Sequence, residues 1–353
     1  MSTPASNAAA PLQVGVVGLG KMGLLHAAIF NSLPGSRVVA AAEPARLPRE
    51  ALSMFNPAIR MFPSLEEMLD GAALHAVVIA TPVADHVPSA QLCVERGVPF
   101  LMEKPLATSA AQADGLIEAL AARKLPHMVG FMTRFVDSFA KGKEIIDSNC
   151  LGRLQRVTGT IQVSQLFRRG RGWRYDRVVA GGGVLLSQGS HLLDLLTWYC
   201  GPVARVNGEA LAVYSPDIED FAHVMLEFRS GLRGWLDSSW SVRFKRTVET
   251  TLDVLGDNGA LVVTDDSVRL FLDQAAGGWP EGRTALRATD LYRGVPVDVG
   301  GPQYTREDQV FLRALRNHTP AEPAVQQALH VQRIVDAAYA SSRERGAPQE
   351  IAP

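Results

Sequence analysis

Polar side chains interrupt the leucine-rich stretch LLSQGSHLLDLL, at positions 185–196. Ser187, His191 and Asp194 are spaced i, i+4 and i+7, which places them on one face of a predicted α-helix, with leucines on the other. Because histidine exchanges a proton near neutral pH, this face could carry acid–base chemistry. The alternative is a core helix whose histidine is satisfied by a backbone carbonyl. The spacing alone leaves both interpretations open.

A second pattern with chemical meaning is GxGxxG, at Gly18-Leu19-Gly20-Lys21-Met22-Gly23, between a predicted strand and a predicted helix. Its glycines permit a tight turn and close approach of a pyrophosphate, which binds at the helix N-terminus. Glu43 ends the next strand, where a carboxylate accepts hydrogen bonds from an adenosine ribose and repels a 2′-phosphate. Arg46 could pair with that phosphate, although we favour a solvated loop charge. The pattern predicts a dinucleotide site and favours NAD, with NADP as the alternative.

The elements that must position these residues alternate between strand and helix in the first third of the chain. Continuous apolar runs predict five strands, at 14–20, 37–44, 76–82, 98–105 and 127–132. Ser64 and Glu67 form a capping box for a short helix at 64–70. Repeated βα units with buried strands indicate a doubly wound parallel sheet. We therefore predict a disordered lead at 1–12 and a dinucleotide-binding Rossmann domain at 13–132.

Beyond residue 132 the apolar runs alternate with polar residues and are separated by turn-forming Gly, Asn and Asp. This is typical of an antiparallel sheet with one solvated face. A Gly/Pro-rich loop is predicted at 276–302, followed by two helical stretches. Residues 133–353 are therefore predicted to form an α+β substrate domain with an open, mainly antiparallel sheet.

Composition limits the classes of protein that fit this plan. The chain has 353 residues, of which 47% are hydrophobic and 20% charged, and its net charge of −1 argues against a nucleic-acid or membrane surface. Cys93, Cys150 and Cys200 form no CxxC pair, which suits a reducing compartment. The first residues lack the pattern of a signal peptide, and no apolar run is long enough to span a membrane. We expect a cytoplasmic protein, and we predict no metal site.

Four motifs occur in a fixed order: GLGKMGLLH (18–26), ATPVADH (80–86), MEKPLATS (102–109) and GGGVLLSQGSHLLDLLTWYCG (181–201). Together they resemble the Gfo/Idh/MocA family, the enzymes similar to glucose–fructose oxidoreductase and inositol dehydrogenase. The resemblance extends over nearly the whole chain. It implies a Rossmann domain followed by an open sheet, which would form a homodimer or homotetramer. It also implies hydride transfer between a nicotinamide cofactor and a hydroxyl or ketone of a sugar or cyclitol.

The resemblance also implies roles for individual residues. Lys104 corresponds to the active-site lysine and His191 to the catalytic histidine. Thr81 and Pro82 match the stretch that lines the cofactor, and His86 matches a residue at the start of a helix. Glu103 would bond the cofactor or a group across the site, with a structural ion pair as the alternative.

The chemistry of alcohol oxidation agrees with the roles of Lys104 and His191. The hydroxyl proton must leave as hydride leaves the carbon, which suits an imidazole, and an ammonium group can stabilise the negative charge that develops on oxygen. The chain departs from the family at Ser187, where many members have an aspartate. We expect Ser187 to position substrate. Asp194 could then orient His191, or it could make a buried contact to the backbone.

The basic loop FRRGRGWRYDR, at 167–177, precedes the histidine helix. Arginines bind carboxylates and phosphates in a bidentate manner, and Trp173 could stack on a ring. Arg174 is thus a candidate substrate residue, together with Arg168, Arg169 and Arg171. A solvated basic loop balanced by acids is an equally good interpretation, so an anionic substrate stays open.

The favoured function is an NAD(P)-dependent oxidoreductase acting on a sugar, cyclitol or related cyclic alcohol. Ser187 motivates one alternative, a cofactor-binding sensor that has lost turnover. A dihydrodiol dehydrogenase is another, because the same scaffold supports that chemistry.

Overall fold

The computed structural model describes residues 10–352, with the side chains of Ala51, Phe55 and Trp173 left out. Most of the predicted lead at 1–12 lies outside the described residues. The described chain divides into two compact units. The first contains the residues up to Lys104 together with Gly115–Gly130 and Gly294–Val325, and the second contains Pro105–Asp114, Phe131–Arg293 and the residues from Gln326 onward.

The first unit is built on a six-stranded parallel sheet. In chain order its elements are β1 (Leu12–Val17), α1 (Lys21–Ser32), β2 (Ser36–Ala42), α2 (Arg46–Phe55), β3 (Arg60–Phe62), α3 (Leu65–Gly71), β4 (Ala76–Ile79), α4 (His86–Glu95), β5 (Phe100–Glu103), α5 (Asp114–Arg123) and β6 (His127–Gly130). The strand order β3-β2-β1-β4-β5-β6 reverses direction at β1, and in such sheets ligands bind beyond the carboxyl ends of the strands at that reversal. The predicted doubly wound sheet is confirmed.

The strands of the first sheet form because they are short apolar runs that are buried on both faces. All four residues of β4 and all four of β5 are buried. One half of the predicted capping box is present, since the Ser64 hydroxyl accepts a hydrogen bond from the Glu67 amide at 3.2 Å. The three-residue strand β3 was not predicted, because its run is too short to carry a periodic signal.

The second unit contains a nine-stranded sheet. The elements after β6 are α6 (Asp137–Asp147), β7 (Leu154–Gln162), α7 (Arg177–Ala180), α8 (Ser190–Cys200), β8 (Val203–Leu211), β9 (Phe221–Phe228), β10 (Arg233–Ser239), β11 (Glu249–Gly256), β12 (Gly259–Thr264), β13 (Ser267–Leu272), β14 (Gly282–Arg287), α9 (Ala288–Leu291), α10 (Pro302–Asn317), α11 (Val325–Arg343) and β15 (Gln349–Glu350). Neighbouring strands run antiparallel except for β7 and β10, which are parallel. The mainly antiparallel sheet that the sequence predicts is therefore confirmed.

The two faces of this sheet differ as the alternating pattern requires. Inward positions such as Val157, Leu252 and Leu261 are fully buried. They lie beneath a layer of helices that includes α6 and α8, and a Cβ on Gly159 would come within 2.7 Å of Leu192. Outward positions are half-exposed and include the apolar side chain of Trp235. One face of the sheet thus packs against α8, and the other face of the sheet is open within this unit.

Three segments differ from the sequence-based expectation. The predicted loop at 276–302 contains the edge strand β14 and the short helix α9. This strand escaped prediction because none of its residues is buried, so it lacks an apolar face. The segment 294–325, which includes α10, falls in the first unit although the predicted boundary placed it in the second. Pro105–Asp114 falls in the second unit although it was predicted to belong to the Rossmann domain at 13–132. No helix in the described part of the chain is both long and apolar enough to cross a membrane.

Candidate functional site

The glycine-rich loop between β1 and α1 has a different constraint at each glycine. Gly18 has a positive φ of 87°, and a Cβ there would lie 2.5 Å from the Ala80 carbonyl oxygen. A Cβ on Gly23 would lie 1.9 Å from the Gly18 oxygen, so this glycine allows the helix to pack against the turn. Around Gly20, by contrast, a Cβ would meet no protein atom within 4 Å. The loop is therefore tight on the protein side and open at Gly20, as a pyrophosphate site requires.

The N-terminus of α1 provides the electrostatic part of this site. Gly20 is its N-cap residue, and no side chain caps the helix there. Lys21 is exposed and Met22 is half-buried in the first turn. The first amides of a helix carry partial positive charge, so they favour an anion. These residues fit the phosphates of a dinucleotide.

Glu43 lies directly after β2, where the sequence places an acceptor for ribose hydroxyls. Its Oε2 accepts a hydrogen bond from the Leu19 amide at 2.9 Å, and its Oε1 accepts one from the Ala45 amide at 3.0 Å. The carboxylate is therefore fixed beside the glycine loop. Arg46 pairs with Glu50 at 2.6 Å and is largely exposed, as expected for a solvated charge.

The turn after β4 contains Thr81 and Pro82. His86 Nε2 lies 2.9 Å from the Thr81 carbonyl oxygen, which ties the start of α4 to this turn. The Thr81 hydroxyl is buried and has no hydrogen-bond partner among the described residues. A buried hydroxyl without a partner is costly, and a bound ligand would satisfy it. The turn thus fits the predicted cofactor-lining role.

Glu103 is the last residue of β5 and belongs to a buried ionic cluster that the sequence did not reveal. Its Oε1 lies 3.2 Å from His26 Nε2, and its Oε2 accepts the Lys104 backbone N–H at 3.1 Å. On the other side of the imidazole, Nδ1 lies 2.8 Å from Asp308 Oδ1, on α10. His26 is part of the motif GLGKMGLLH, but its partner lies 282 positions away, so only the fold identifies the cluster.

The three groups influence one another's protonation. Burial opposes a charge on His26, but the carboxylates of Asp308 and Glu103 outweigh it and raise the pKa of His26 well above its usual value. Burial would also raise the pKa of Glu103, yet the imidazole, with smaller contributions from Lys104 and His86, lowers the pKa of Glu103. Burial raises the pKa of Asp308, and the His26 imidazole counteracts that rise. The shifts of His26 and Glu103 both favour an ion pair between them. The structure supports the ion-pair interpretation of Glu103.

The helix that carries His191 departs from the predicted α-helix. It begins with a π-helical turn at Leu185–Gly189, and α8 follows from Ser190. Its leucines are buried on all sides instead of on one face, and His191 itself is only 7% exposed. Single π-helical turns within helices are frequent at functional sites. Ser187 lies within this π-helical turn and is half-buried. The α-helical spacing that predicted Ser187 and His191 on one face therefore does not apply to Ser187.

His191 is held by residues that follow β6. Its Nδ1 lies 3.5 Å from the Thr133 hydroxyl oxygen, and its ring meets the Phe131 ring edge-on with 6.0 Å between centroids. These contacts orient the imidazole from one side. The sequence missed Thr133 because it stands in a short turn with no motif.

Asp194 forms neither of the two contacts that the sequence suggested. Both of its oxygens accept hydrogen bonds from Arg134, at 2.7 and 2.6 Å, and both side chains are buried. The Arg134 guanidinium also lies over the Trp198 ring, 5.3 Å from its centroid. Burial raises the pKa of Asp194, and Arg134 counteracts that rise. The pair joins α8 to the turn that carries Thr133.

The start of the π-helical turn is fixed by Glu219. Its Oε1 accepts hydrogen bonds from the Gly183 amide at 2.7 Å and from the Tyr339 hydroxyl at 2.6 Å. Its backbone oxygen accepts the Val184 amide at 3.1 Å. A Cβ on Gly183 would lie 2.1 Å from that oxygen, which explains the glycine. Glu219 thereby satisfies helix amides that would otherwise be buried without partners.

The basic loop at 167–177 is largely solvent-exposed. Arg169 pairs with Asp217 in a bidentate manner, at 2.8 and 3.1 Å, so its charge is balanced. Arg174 is exposed in the short turn Trp173–Tyr175, and the side chain of Trp173 lies outside the described residues. Lys104 belongs to the first unit and His191 to the second.

Two family models match this chain. Residues 12–131 match the family model described as "Oxidoreductase family, NAD-binding Rossmann fold", and residues 139–262 match the "GFO/IDH/MocA C-terminal domain". An inositol 2-dehydrogenase of Leifsonia xyli subsp. xyli is 33% identical over 252 residues, which cover 68% of this chain and 69% of that protein. A levoglucosan dehydrogenase of Pseudarthrobacter phenanthrenivorans is 25% identical over 289 residues, covering 71% and 73% of the two chains.

The solved structures include a levoglucosan dehydrogenase in complex with NADH and levoglucosan. It superposes with a TM-score of 0.86 at 20% identity, over 97% of this chain and 100% of that chain. At this identity the likeness establishes the fold.

Proposed function

Because the chain belongs to the Gfo/Idh/MocA family of oxidoreductases, we propose that it is an NAD-dependent dehydrogenase of a sugar, a cyclitol or a related cyclic alcohol. One observation carries the proposal. The sheet whose β1–α1 loop fits a dinucleotide also places Lys104 directly after β5, at the carboxyl edge where such sheets bind ligands. Inositol and levoglucosan, after which two relatives are named, are cyclic polyols of the kind proposed.

The residues of the first unit would hold the cofactor. The open space at Gly20 and the amides of α1 receive the pyrophosphate, and the Glu43 carboxylate disfavours a 2′-phosphate, which supports NAD over NADP. Lys21, Met22, Thr81, Pro82 and His86 complete the set around the loop and the turn after β4. When bound, NAD supplies a carbon that accepts the hydride.

The proposed proton chemistry depends on two residues. His191 accepts the proton of the substrate hydroxyl, with its ring oriented by Thr133 and Phe131. To the Lys104 ammonium we assign the stabilisation of negative charge that develops on the substrate. Ser187 can donate or accept a hydrogen bond but cannot act as a carboxylate base, so we assign it to substrate positioning. An anionic substituent on the substrate would find the exposed Arg174 as a candidate partner.

A substrate screen and one matched pair of variants test this proposal. Cyclic polyols, sugars, sugar acids and dihydrodiols are assayed by the absorbance of NADH. Lys104→Gln is expected to lower kcat at least ~100-fold while the Kd for NADH stays within about threefold, because one electrostatic stabiliser of the transition state is lost. Lys124→Gln removes an exposed lysine of the same unit and should leave both values unchanged.

Two outcomes would contradict the proposal. Full activity of Lys104→Gln would exclude the mechanism. If the wild-type protein binds NADH but reduces NAD with no alcohol of the screen, a cofactor-dependent sensor becomes the better interpretation.

A further inference from the structure

His26 is completely buried and lies between two carboxylates. Asp308 Oδ1 and Oδ2 lie 2.8 and 3.1 Å from its Nδ1, and Glu103 Oε1 lies 3.2 Å from its Nε2. Asp308 is also fully buried, and Glu103 is 8% exposed. His26 stands on α1, two positions after Leu24. Through this side chain, the helix that follows the glycine loop also contacts the end of β5.

With both carboxyl groups ionised, both ring nitrogens donate hydrogen bonds in this arrangement. A neutral imidazole has one N–H, whereas an ionised carboxylate is an acceptor only, so two carboxylate partners require the imidazolium. Glu307 and Asp308 have oxygens within 4.8 Å of a His26 nitrogen, a spacing that would also suit a cation. With both nitrogens directed at carboxylates, however, the ring has no lone pair for a metal ion.

The network continues from Glu103 to the neighbouring lysine. Glu103 Oε2 accepts the backbone N–H of Lys104 at 3.1 Å, while its Oε1 is directed to His26. The carboxylate is thus held at both oxygens. Opposite it on β6 stands Gly130, where a Cβ would approach Glu103 Oε2 to 3.5 Å. Rotation of the Glu103 side chain would therefore release the peptide from which Lys104 projects.

We propose that His26, paired with Asp308, is a positioning residue that holds Glu103 and through it sets the orientation of Lys104. The inference rests on the proposed function only in so far as Lys104 acts on substrate. It also gives α10 a role, because this helix returns to the first unit after the second sheet and supplies Asp308.

Stability alone is a weak explanation for such a cluster. Buried ion pairs contribute little net stability compared with apolar side chains of similar volume, because removing the charges from water costs about as much as their attraction returns. Other polar groups surround the cluster: Lys104 and His86 act on Glu103, and the Tyr304 ring meets His26 edge-on at 6.4 Å. The cluster therefore connects the cofactor helix, the lysine strand and α10 through specific hydrogen bonds.

The test begins with His26→Gln, whose amide can donate to Glu103 but places its carbonyl oxygen against Asp308. We expect kcat to fall about 10- to 100-fold, as for a small displacement of a catalytic group, with the Kd for NADH changed less than threefold. The control is His75→Gln. His75 Nδ1 accepts the Gln13 amide at 2.9 Å before β4, and kcat should stay at the wild-type value.

The double variant His26→Gln/Asp308→Asn separates positioning from folding. The asparagine amide introduced on α10 can donate to the carbonyl of the glutamine introduced on α1, and the amide of that glutamine can donate to Glu103, so both interactions that His26 makes in the wild-type protein have a counterpart again. We expect kcat to recover at least ~5-fold relative to His26→Gln, because the glutamine carbonyl no longer faces a carboxylate on α10 and its amide can stay on Glu103. This variant also keeps the test decisive if His26→Gln alone does not fold.

A spectroscopic measurement is independent of turnover. The chain has six lysines, so reductive ¹³C-methylation gives a readable spectrum, in which loss of one signal in Lys104→Gln assigns that residue. We expect the Lys104 signal to lie apart from those of the exposed lysines, to move toward them in His26→Gln, and to stay in place in His75→Gln.

A Lys104 signal unchanged in His26→Gln, with kcat within twofold of wild type, overturns the inference. So does a folded double variant whose kcat and Lys104 signal match those of His26→Gln. If the wild-type protein reduces NAD with no alcohol, the proposed function fails, and the lysine spectrum still tests the role of His26.

Discussion

Gly20 and Gly23 offer a prediction in which two similar substitutions have opposite effects. Gly20 has φ −68° and ψ −174°, which any residue can adopt, and a Cβ there meets no protein atom within 4 Å. Alanine at this position restricts the unfolded chain, and this stabilises the folded protein by about 0.5 kcal/mol. Alanine is also a poorer N-cap residue than glycine, which costs a similar amount. We therefore expect the free energy of unfolding of Gly20→Ala to lie within ~1 kcal/mol of the wild-type value.

Cofactor binding should respond quite differently to Gly20→Ala. The added methyl group occupies the space that the pyrophosphate needs, so at least one charge-assisted hydrogen bond to a loop amide is lost. Such a bond contributes about 2 kcal/mol, which corresponds to a roughly 30-fold increase in the Kd for NADH. Titration of NADH fluorescence measures the affinity, and thermal unfolding without cofactor measures the stability.

Gly23→Ala is the matched comparison. Its Cβ would stand 1.9 Å from the Gly18 oxygen, whereas an ordinary contact is about 3.4 Å, so α1 or the loop must move by about 1.5 Å. Overpacking of this kind costs on the order of 3 kcal/mol and should lower Tm by roughly 5–10 °C without cofactor. Wild-type NADH affinity in a stable Gly20→Ala variant would refute the placement of the pyrophosphate at this loop.

Two further predictions concern the second unit. Asp194→Asn leaves the Arg134 guanidinium buried without its counter-ion. We therefore expect the free energy of unfolding, measured with urea, to fall by about 3–5 kcal/mol. A loss below ~1 kcal/mol would contradict the assigned pair. Burial, with Arg229 and Arg333, lowers the pKa of His330 to about 4, and its Nε2 accepts the Val203 amide at 3.0 Å. A group whose pKa is depressed in the folded state stabilises the fold at pH values above its unfolded pKa of ~6.5. The stability of the wild-type protein should therefore fall as the pH is lowered from ~6.5 to about 4. In thermal unfolding, Tm of His330→Gln should decrease less over that range.

Local patterns predicted the elements that position the cofactor. The apolar runs indicated all strands of the first sheet except β3, and the glycine spacing indicated the loop, because both signals lie within a few neighbouring residues. The resemblance to a family then singled out Lys104 and His191. The same patterns missed β14, which has no buried face, and the π-helical turn at Leu185–Gly189, which the leucine periodicity does not distinguish from an α-helix.

The partners of the predicted residues could not be predicted from such patterns. Asp194 was a candidate to orient His191, but its two oxygens bind Arg134, 60 positions earlier in the chain. Glu219 and Tyr339 join across 120 positions to fix the start of the π-helical turn. Arg134, Glu219 and Tyr339 stand in none of the motifs quoted above, and each is explained only by the group that it meets in the fold.

The sequence by itself determined the order of the βα units and the glycine loop, and it supplied Lys104 and His191 as candidates for the proton chemistry. These follow from short-range periodicity and from the chemistry of single side chains. Only the tertiary structure decided which charges are buried together, as with His26, Glu103 and Asp308. The physical reason is that a buried charge is tolerated only beside a partner of opposite charge, and the partner is chosen by the packing of helices and strands that lie far apart in the chain.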